Sequence, residues 1–279
     1  MSDPHPFLRR RSSHVSQIRD SLLTSASARG MAIDLAKDGA KFVIGAAAGW
    51  LLKVVSDRWR TRRARAFWRP FLGEDVAIVV GRFQSEEFER SGLMGAGDSL
   101  AVAELQRFLG KLGARMRETV YADRLAGEEL GKNLIVIGGP DANAVTHQLV
   151  ERLHTGIRFG DPTRHIIAIT DVTTTPPRVF APGPTASDGT SNDFGVVVRA
   201  PNPFGTGTTV LIVAGAFGHG TWAGVRFAIS KEFLRQAREG GGPSIECLIE
   251  ADIVRDTPQA PRIVIPVRQF DRRARNQSS

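Results

Sequence analysis

The central part of the chain alternates between short apolar runs and amphipathic stretches. Residues 75–80 (DVAIVV) are apolar at consecutive positions and end at Gly81, and residues 99–112 place their apolar side chains on one face of a helix. We expect Asp98 to cap that helix, because a short acidic side chain can accept a hydrogen bond from a free amide of its first turn. The pattern predicts one strand-loop-helix unit.

Two further units of the same kind follow. Residues 133–137 (NLIVI) form a strand run that ends at a Gly-Gly-Pro turn, and a predicted helix continues to Leu153. Residues 209–214 (TVLIVA) form the third run, which passes through a glycine-rich turn into a helix that reaches Leu234. Five other segments are predicted as strands: residues 165–170, 178–180, 194–198, 245–251 and 262–267.

Strands that are apolar on consecutive positions indicate a sheet covered on both faces. We therefore predict an α/β fold, a Rossmann-like multi-layer sheet with glycine-rich strand-to-helix turns, over residues 70–271. The proline- and glycine-rich residues 173–192 predict a long loop with room for one edge strand.

The residues before this domain have a different pattern. Residues 1–31 are polar and serine-rich, which predicts a flexible basic tail, and residues 272–279 form a second basic tail. Residues 32–55 have helical periodicity, and residues 42–52 carry no charge. Six arginines follow: Arg58, Arg60, Arg62, Arg63, Arg65 and Arg69.

This order is typical of a membrane helix with a cytoplasmic basic collar. The uncharged run is too short to span a bilayer alone, so the helix either crosses with its flanking lysines at the interfaces or lies in the interface. We predict a membrane-associated helix and arginine-rich collar over residues 32–69, at the cytoplasmic side of an anionic cell membrane. An ordinary packing helix is the alternative. Gly45 and Gly49, four residues apart, favour self-association into a homo-oligomer, and the alternative is an alanine-rich helix packed on the protein's own core.

Charge and composition exclude several classes of function. Residues 70–270 carry 20 basic and 23 acidic residues, so the net charge of +8 comes from the flanking segments. The domain has no basic excess and its single tyrosine is Tyr121, which argues against a nucleic-acid partner. Because Cys247 is the single cysteine, the chain has no internal disulfide or cysteine metal cluster, and we expect Cys247 in a buried strand.

The two glycine-rich turns are the main candidates for ligand binding. Glycines after a strand let a ligand approach the backbone, and the amides at the start of the next helix attract an anion, so we predict a nucleotide-like small molecule there. Neither turn has the spacing of a dinucleotide fingerprint or a P-loop. The alternative is that the glycines permit tight turns, with Thr221 as a helix N-cap. The candidate binding residues are Gly138, Gly139, Pro140, Asn143, Gly215, Gly218, Gly220 and Thr221.

No strong catalytic or metal-binding motif accompanies these turns. Four carboxylates could converge at the sheet edge as metal ligands or general bases, and the single best catalytic candidate is His219, in the second turn. The four are Asp98, Glu104, Asp171 and Asp193.

The strings IVIGGPDANAVTHQL, APNPF and VLIVAGAFGHGTWAGVRFA, within residues 133–230, resemble the repeated Gly-Gly-Pro-x-x-Asn and Ala-Gly-x-x-x-x-Gly-Thr-x-Ala elements of archaeal surface-layer proteins and related bacterial proteins. The resemblance implies a structural or binding α/β module without a recognised catalytic residue. From the residues and the resemblance together, we predict a bacterial-type, membrane-associated, non-catalytic ligand-binding or assembly module that needs no cofactor or metal. An enzyme acting on a nucleotide or nucleoside derivative, or a purely structural interaction protein, are the alternatives.

Overall fold

The computed structural model describes residues 49–50, 62, 64–73, 76–85, 89–114, 118–160 and 167–270. The chain divides into two units, Met1–Arg60 and Thr61–Ser279. Residues 49–50 of the first unit are helical, whereas Gly45 and most of the predicted membrane helix lie outside the described residues. Among the described residues, no helix has the length and apolarity needed to cross a membrane.

The second unit has a mixed α/β fold. Its strands are β1 (Val76–Val80), β2 (Phe83–Ser85), β3 (Glu89–Leu93), β4 (Thr119–Tyr121), β5 (Asn133–Ile137), β6 (Ile157–Phe159), β7 (Ile169–Asp171), β8 (Arg178–Phe180), β9 (Ser191–Pro201), β10 (Thr209–Gly215), β11 (Ile245–Val254), β12 (Thr257–Pro258) and β13 (Arg262–Gln269). Its helices are α1 (Ala96–Lys111), α2 (Ala144–Leu153), α3 (Gly218–Ala228) and α4 (Lys231–Glu239), with short 3-10 helices at Arg69–Phe71, Ala122–Arg124 and Glu129–Gly131.

The central sheet has eight strands in the order β12-β11-β9-β10-β5-β1-β4, and β13 pairs with β11. Strands β10, β5, β1 and β4 run parallel to one another, whereas β9, β11 and β13 each pair antiparallel with a neighbour. The sheet is therefore mixed, and not wholly parallel as in a doubly wound fold. The reason is local, because the short connection between Pro201 and Thr209 permits only an antiparallel return.

Both faces of this sheet are covered, as the consecutive apolar strand residues predicted. Val76, Ile78 and Val80 face one core cluster, which contains residues of α1, α3 and α4. Ala77 and Val79 face the other, which contains residues of α2, β6 and β7. The alternation of side chains along β1 therefore supplies two cores from one strand.

Residues 64–68, which belong to the predicted collar, are helical and pack into the domain. Trp68 is fully buried, and its ring lies 5.4 Å from that of Phe108 on α1. Arg65 Nε donates a hydrogen bond to the carbonyl of Leu112 at 3.0 Å. These contacts give the C-terminal end of the collar a role in the fold.

Several helix boundaries differ from those predicted. Helix α1 begins at Ala96 with Gly95 as its N-cap, so Asp98 lies inside the first turn and is not the cap. The third predicted helix is two helices, because the Ser230 side chain accepts a hydrogen bond from Phe233 N at 3.1 Å and starts α4. The long loop contains one strand, β8, at the edge of a separate sheet in the order β6-β7-β8.

Candidate ligand site at the carboxyl ends of the parallel strands

At the carboxyl edge of the parallel strands, the chain leaves two neighbouring strands in different directions. The chain passes from β1 through α1 to β4 on one side of β1, and then to β5 on the other side. The helix after β1, α1, packs in one core cluster and the helix after β5, α2, packs in the other, so the chain leaves the two strands towards opposite faces of the sheet. In open α/β sheets the crevice at such a point is where ligands bind.

A cleft of about 420 Å³ lies at this point. Each of the three strand ends contributes to it: Arg82 follows β1, Ala122 and Asp123 follow β4, and the segment after β5 supplies the remaining wall. The lining residues of that segment are Pro140, Asp141, Ala142, Ala144 and His147. The volume of the cleft falls within the range of small-molecule sites.

Arg82 and Asp123 form an ion pair on the wall of the cleft. Arg82 Nε and Nη2 donate to the Asp123 carboxylate at 3.1 and 2.5 Å, and the guanidinium lies 4.8 Å from the ring centre of Tyr121. The hydrogen bond from Arg82 lowers the pKa of Asp123 below its ordinary value. The Asp123 side chain remains 43% exposed, so its carboxylate is charged and accessible to a ligand.

The first glycine-rich turn forms the floor of this region and is held rigidly. The buried Asn143 side chain accepts hydrogen bonds from Val145 N and Thr146 N, at 3.0 and 3.2 Å, and donates one to the carbonyl of Ile137. Thr146 Oγ1 donates to the carbonyl of Gly138 at 2.8 Å. Gly138 has φ of +104°, a left-handed conformation that favours glycine. Pro140 borders the cleft directly, whereas Gly138, Gly139 and Asn143 shape the turn behind it.

The second glycine-rich turn is closed by a carboxylate of the protein itself. Asp193, on β9, accepts hydrogen bonds from Phe217 N at 3.2 Å and Gly220 N at 2.5 Å. Thr221 is not the N-cap of α3; that position belongs to Phe217, and Thr221 Oγ1 instead accepts a hydrogen bond from Gly215 N at 2.9 Å. The carboxylate of Asp193 therefore binds the backbone amides at the start of α3.

Helix α1 also packs closely against this turn. A Cβ atom on Gly97 would overlap the backbone carbonyl group of Gly218, so the two helices approach backbone to backbone. Gly218 and Gly220 therefore have a packing role, which agrees with the tight-turn alternative drawn from the sequence. None of the four predicted residues of this turn borders the cleft described above.

Two of the four predicted carboxylates converge beside the turns. Asp98 is 8% exposed and its Oδ2 lies 3.4 Å from the position of a Cβ on Gly138. Burial raises its pKa to about 6, a hydrogen bond with Thr221 opposes the rise, and the charge of Asp141 adds to it. Burial likewise raises the pKa of Asp193 to about 7, against its amide hydrogen bonds and with a contribution from Asp98.

The other two carboxylates have structural partners elsewhere. Glu104 accepts a hydrogen bond from Trp222 Nε1 at 2.7 Å. Asp171 pairs with Arg268 at 2.8 Å; although its burial raises the pKa, hydrogen bonds from Arg268 and Thr173 lower it to about 2. Arg268 also pairs with the buried Glu246, so this network joins β7, β11 and β13. His219 is half-buried beside Gly218.

The sequence did not reveal Arg82 and Asp123 as site residues. Arg82 comes two residues after the last apolar residue of β1, a position that signals a strand end. Strand β4 (TVY) is too short and too polar to predict, so the position of Asp123 at a strand end was not visible. Neither residue has a motif of its own.

The described residues contain no group of three or more His, Cys, Asp or Glu side chains that could hold a metal ion. Cys247 is buried in β11 as expected, and burial raises the pKa of its thiol. No protein-family model matches the sequence, and no curated protein is significantly similar to it.

Proposed function

We propose that the α/β domain is a Rossmann-like ligand-binding module whose ligand lies in the cleft between the carboxyl ends of β1, β4 and β5. The observation that carries this proposal is that the cleft coincides with the point where the chain changes direction across the sheet. The rigid turn around Asn143 supports it, because a binding wall must hold its shape without the ligand.

A nucleotide-like molecule is the ligand class that we propose. The cleft volume suits a nucleoside, and the charged, half-exposed Asp123 can accept hydrogen bonds from the two hydroxyl groups of a ribose. The module acts by binding, as a ligand sensor or an assembly component.

An enzyme acting on a nucleotide or nucleoside derivative is the second candidate. The observation that favours it is the adjacent pair Asp98 and Asp193, because buried carboxyls with pKa values of about 6 and 7 can donate or accept a proton near neutral pH. Turnover that is abolished by Asp98→Asn with the ligand still bound would establish this reading over simple binding.

The ligand proposal is tested by thermal unfolding of the full chain with nucleotides, dinucleotides and sugar phosphates, assayed at the same time for product. A ligand at about a hundredfold excess over its Kd stabilises by about 2.7 kcal/mol, a shift of roughly 5–10 °C. Ala144→Trp, which fills the cleft, should abolish the shift. Gln148→Trp, one turn further along α2 and outside the cleft, is the matched control. Stabilisation by none of these compounds, in a folded protein, refutes the proposal.

We also propose, from the sequence alone, that residues 32–69 attach the domain to the anionic cytoplasmic face of a membrane and that Gly45 and Gly49 mediate self-association. The arginines that follow the apolar run support the attachment. The full chain should therefore sediment with anionic vesicles at low salt. Protein that stays in the supernatant under those conditions contradicts the attachment. If the double variant Gly45→Leu, Gly49→Leu has the same oligomer size in detergent as the parent protein, self-association through these glycines is contradicted.

A further inference from the structure

The cleft presents a carboxylate to its ligand more openly than a guanidinium. Among the described residues that line it, Arg82 is the only lysine or arginine. Its Nε and Nη2 donate to the Asp123 carboxylate, and its guanidinium lies against the ring of Tyr121. The Arg82 side chain is only 7% exposed, whereas that of Asp123 is 43% exposed. A phosphate that enters the cleft therefore meets the acidic partner of this ion pair first.

The backbone amides beside the cleft also have partners within the protein. Amides at the start of a helix are the usual anion-binding groups of a strand-to-helix turn. Here the Asn143 side chain accepts hydrogen bonds from Val145 N and Thr146 N. The carbonyl of Gly139 accepts from Ala142 N at 3.2 Å and from Asn143 N at 2.9 Å. These amides are therefore not free to bind a phosphate.

Asp141 adds a second exposed carboxylate to the wall of the cleft. It precedes Asn143, the N-cap of α2, so a negative charge of the protein itself lies near the positive end of the helix dipole. His147, also on the wall, has its Nε2 atom 3.4 Å from Oε1 of Glu151. Carboxylates accept hydrogen bonds from hydroxyl and amino groups and repel phosphates. The exposed charge of the cleft therefore suits a ligand that donates hydrogen bonds.

We infer that the cleft recognises the nucleoside part of its ligand and disfavours phosphate, and that Asp141 sets this preference. The preferred ligand is a neutral or cationic molecule of the nucleoside class, and a phosphate on it weakens binding. The inference rests on the proposed ligand cleft and narrows the ligand class from nucleotide-like molecules to nucleosides. Because Asp141 is exposed to solvent, its repulsion of a phosphate is electrostatic and decreases as the ionic strength rises.

The test measures by calorimetry the affinity of the full chain for adenosine, guanosine, cytidine and uridine and for their 5′-monophosphates, at low and at high salt. At low salt, a nucleoside that binds should bind about three- to tenfold more tightly than its 5′-monophosphate, and this ratio should approach one at high salt. Asp141→Asn should reduce the ratio, and Asp141→Lys should reverse it. Asp256→Asn, at an exposed aspartate in the turn between β11 and β12, is the control and should keep the parent ratio.

Folding of the variants is followed by their thermal midpoints without ligand, and the exposed Asp141 can be replaced without disturbing the core. Nucleoside binding that is lost in Ala144→Trp supports binding in the cleft, and binding that persists in this variant overturns the inference. A 5′-monophosphate that the parent protein binds more tightly than the nucleoside overturns the inference and leaves the ligand cleft intact. A nucleoside preference that both Asp141 variants keep overturns the role of Asp141. If neither the nucleosides nor their monophosphates bind, the proposed nucleotide-like ligand fails together with the inference.

Discussion

The two glycine-rich turns look alike in the sequence but have different surroundings in the structure. The turn at Gly138 borders a cleft, and the side chain that caps its helix, Asn143, comes from the turn itself. The turn at Gly215 is covered by α1, and the carboxylate at its helix start, Asp193, comes from β9. A glycine-rich strand-to-helix turn can therefore accept a ligand only where the rest of the fold leaves it open.

The largest effect that tests this comparison should come from Gly97, where α1 meets the second turn. Gly97→Leu places a side chain where the carbonyl of Gly218 stands, and we expect a loss of about 3 kcal/mol or more in the free energy of unfolding. Denaturant unfolding measures the loss. Gly110, on the same helix, has open space around it, so Gly110→Ala should stabilise by about 0.5–1 kcal/mol. A tolerated Gly97→Leu would mean that α1 does not close the second turn.

Next in size is the removal of the carboxylate that occupies the start of α3. Asp193→Ala leaves the buried amide of Gly220 and the partly buried amide of Phe217 without this acceptor, and we expect a loss of about 2 kcal/mol, measured by denaturant unfolding at pH 5.5. Asp188→Ala, at an exposed carboxylate in the loop before β9, should change stability far less. An unchanged unfolding free energy for Asp193→Ala would show that the second turn is open to other partners.

The two buried carboxyls should also make stability depend on pH. The pKa values of Asp98 and Asp193 are raised to about 6 and 7, so the folded protein binds these protons more tightly than the unfolded chain does. Their contribution to stability is present below about pH 4 and is lost as the pH rises through about 6 to 7. Unfolding curves between pH 4.5 and 8 should show this fall, and Asp98→Asn should reduce its slope. A slope that this substitution leaves unchanged would show that Asp98 does not cause the pH dependence of stability.

The difference between the two turns marks the limit of what the sequence could predict. Local patterns were sufficient for the first strand and a helix of each of the three units and for a sheet buried on both faces, because each depends on neighbouring residues. They missed strands β2 and β3 in the first unit and the division of the third helix. The strands β9, β11 and β13 were recognised as strands, but the antiparallel pairing of β11 with β9 joins segments that are distant in the sequence. Asp193 lies 24 positions from Phe217 and 27 positions from Gly220 in the sequence, and it binds the amides of both. Arg82 lies 41 positions from its partner Asp123. No local pattern encodes such contacts.

The smallest effect on stability should come with the largest effect on binding, at Asp123. Because the Asp123 side chain is 43% exposed, and Arg82, which is 7% exposed, also lies against the ring of Tyr121, Asp123→Ala should change the free energy of unfolding by only about 1 kcal/mol. If its carboxylate accepts hydrogen bonds from ligand hydroxyls, the same substitution should weaken the binding of a ribose-containing ligand roughly tenfold, the equivalent of about 1.4 kcal/mol.

The measurement is calorimetry with a nucleotide and with its 2′-deoxy analogue. The parent protein should prefer the ribonucleotide and Asp123→Ala should not, whereas Asp252→Ala, at an exposed ion pair on β11, should keep the preference. Equal affinity of the parent protein for both nucleotides would remove Asp123 from the binding site and leave its pairing with Arg82 as its role.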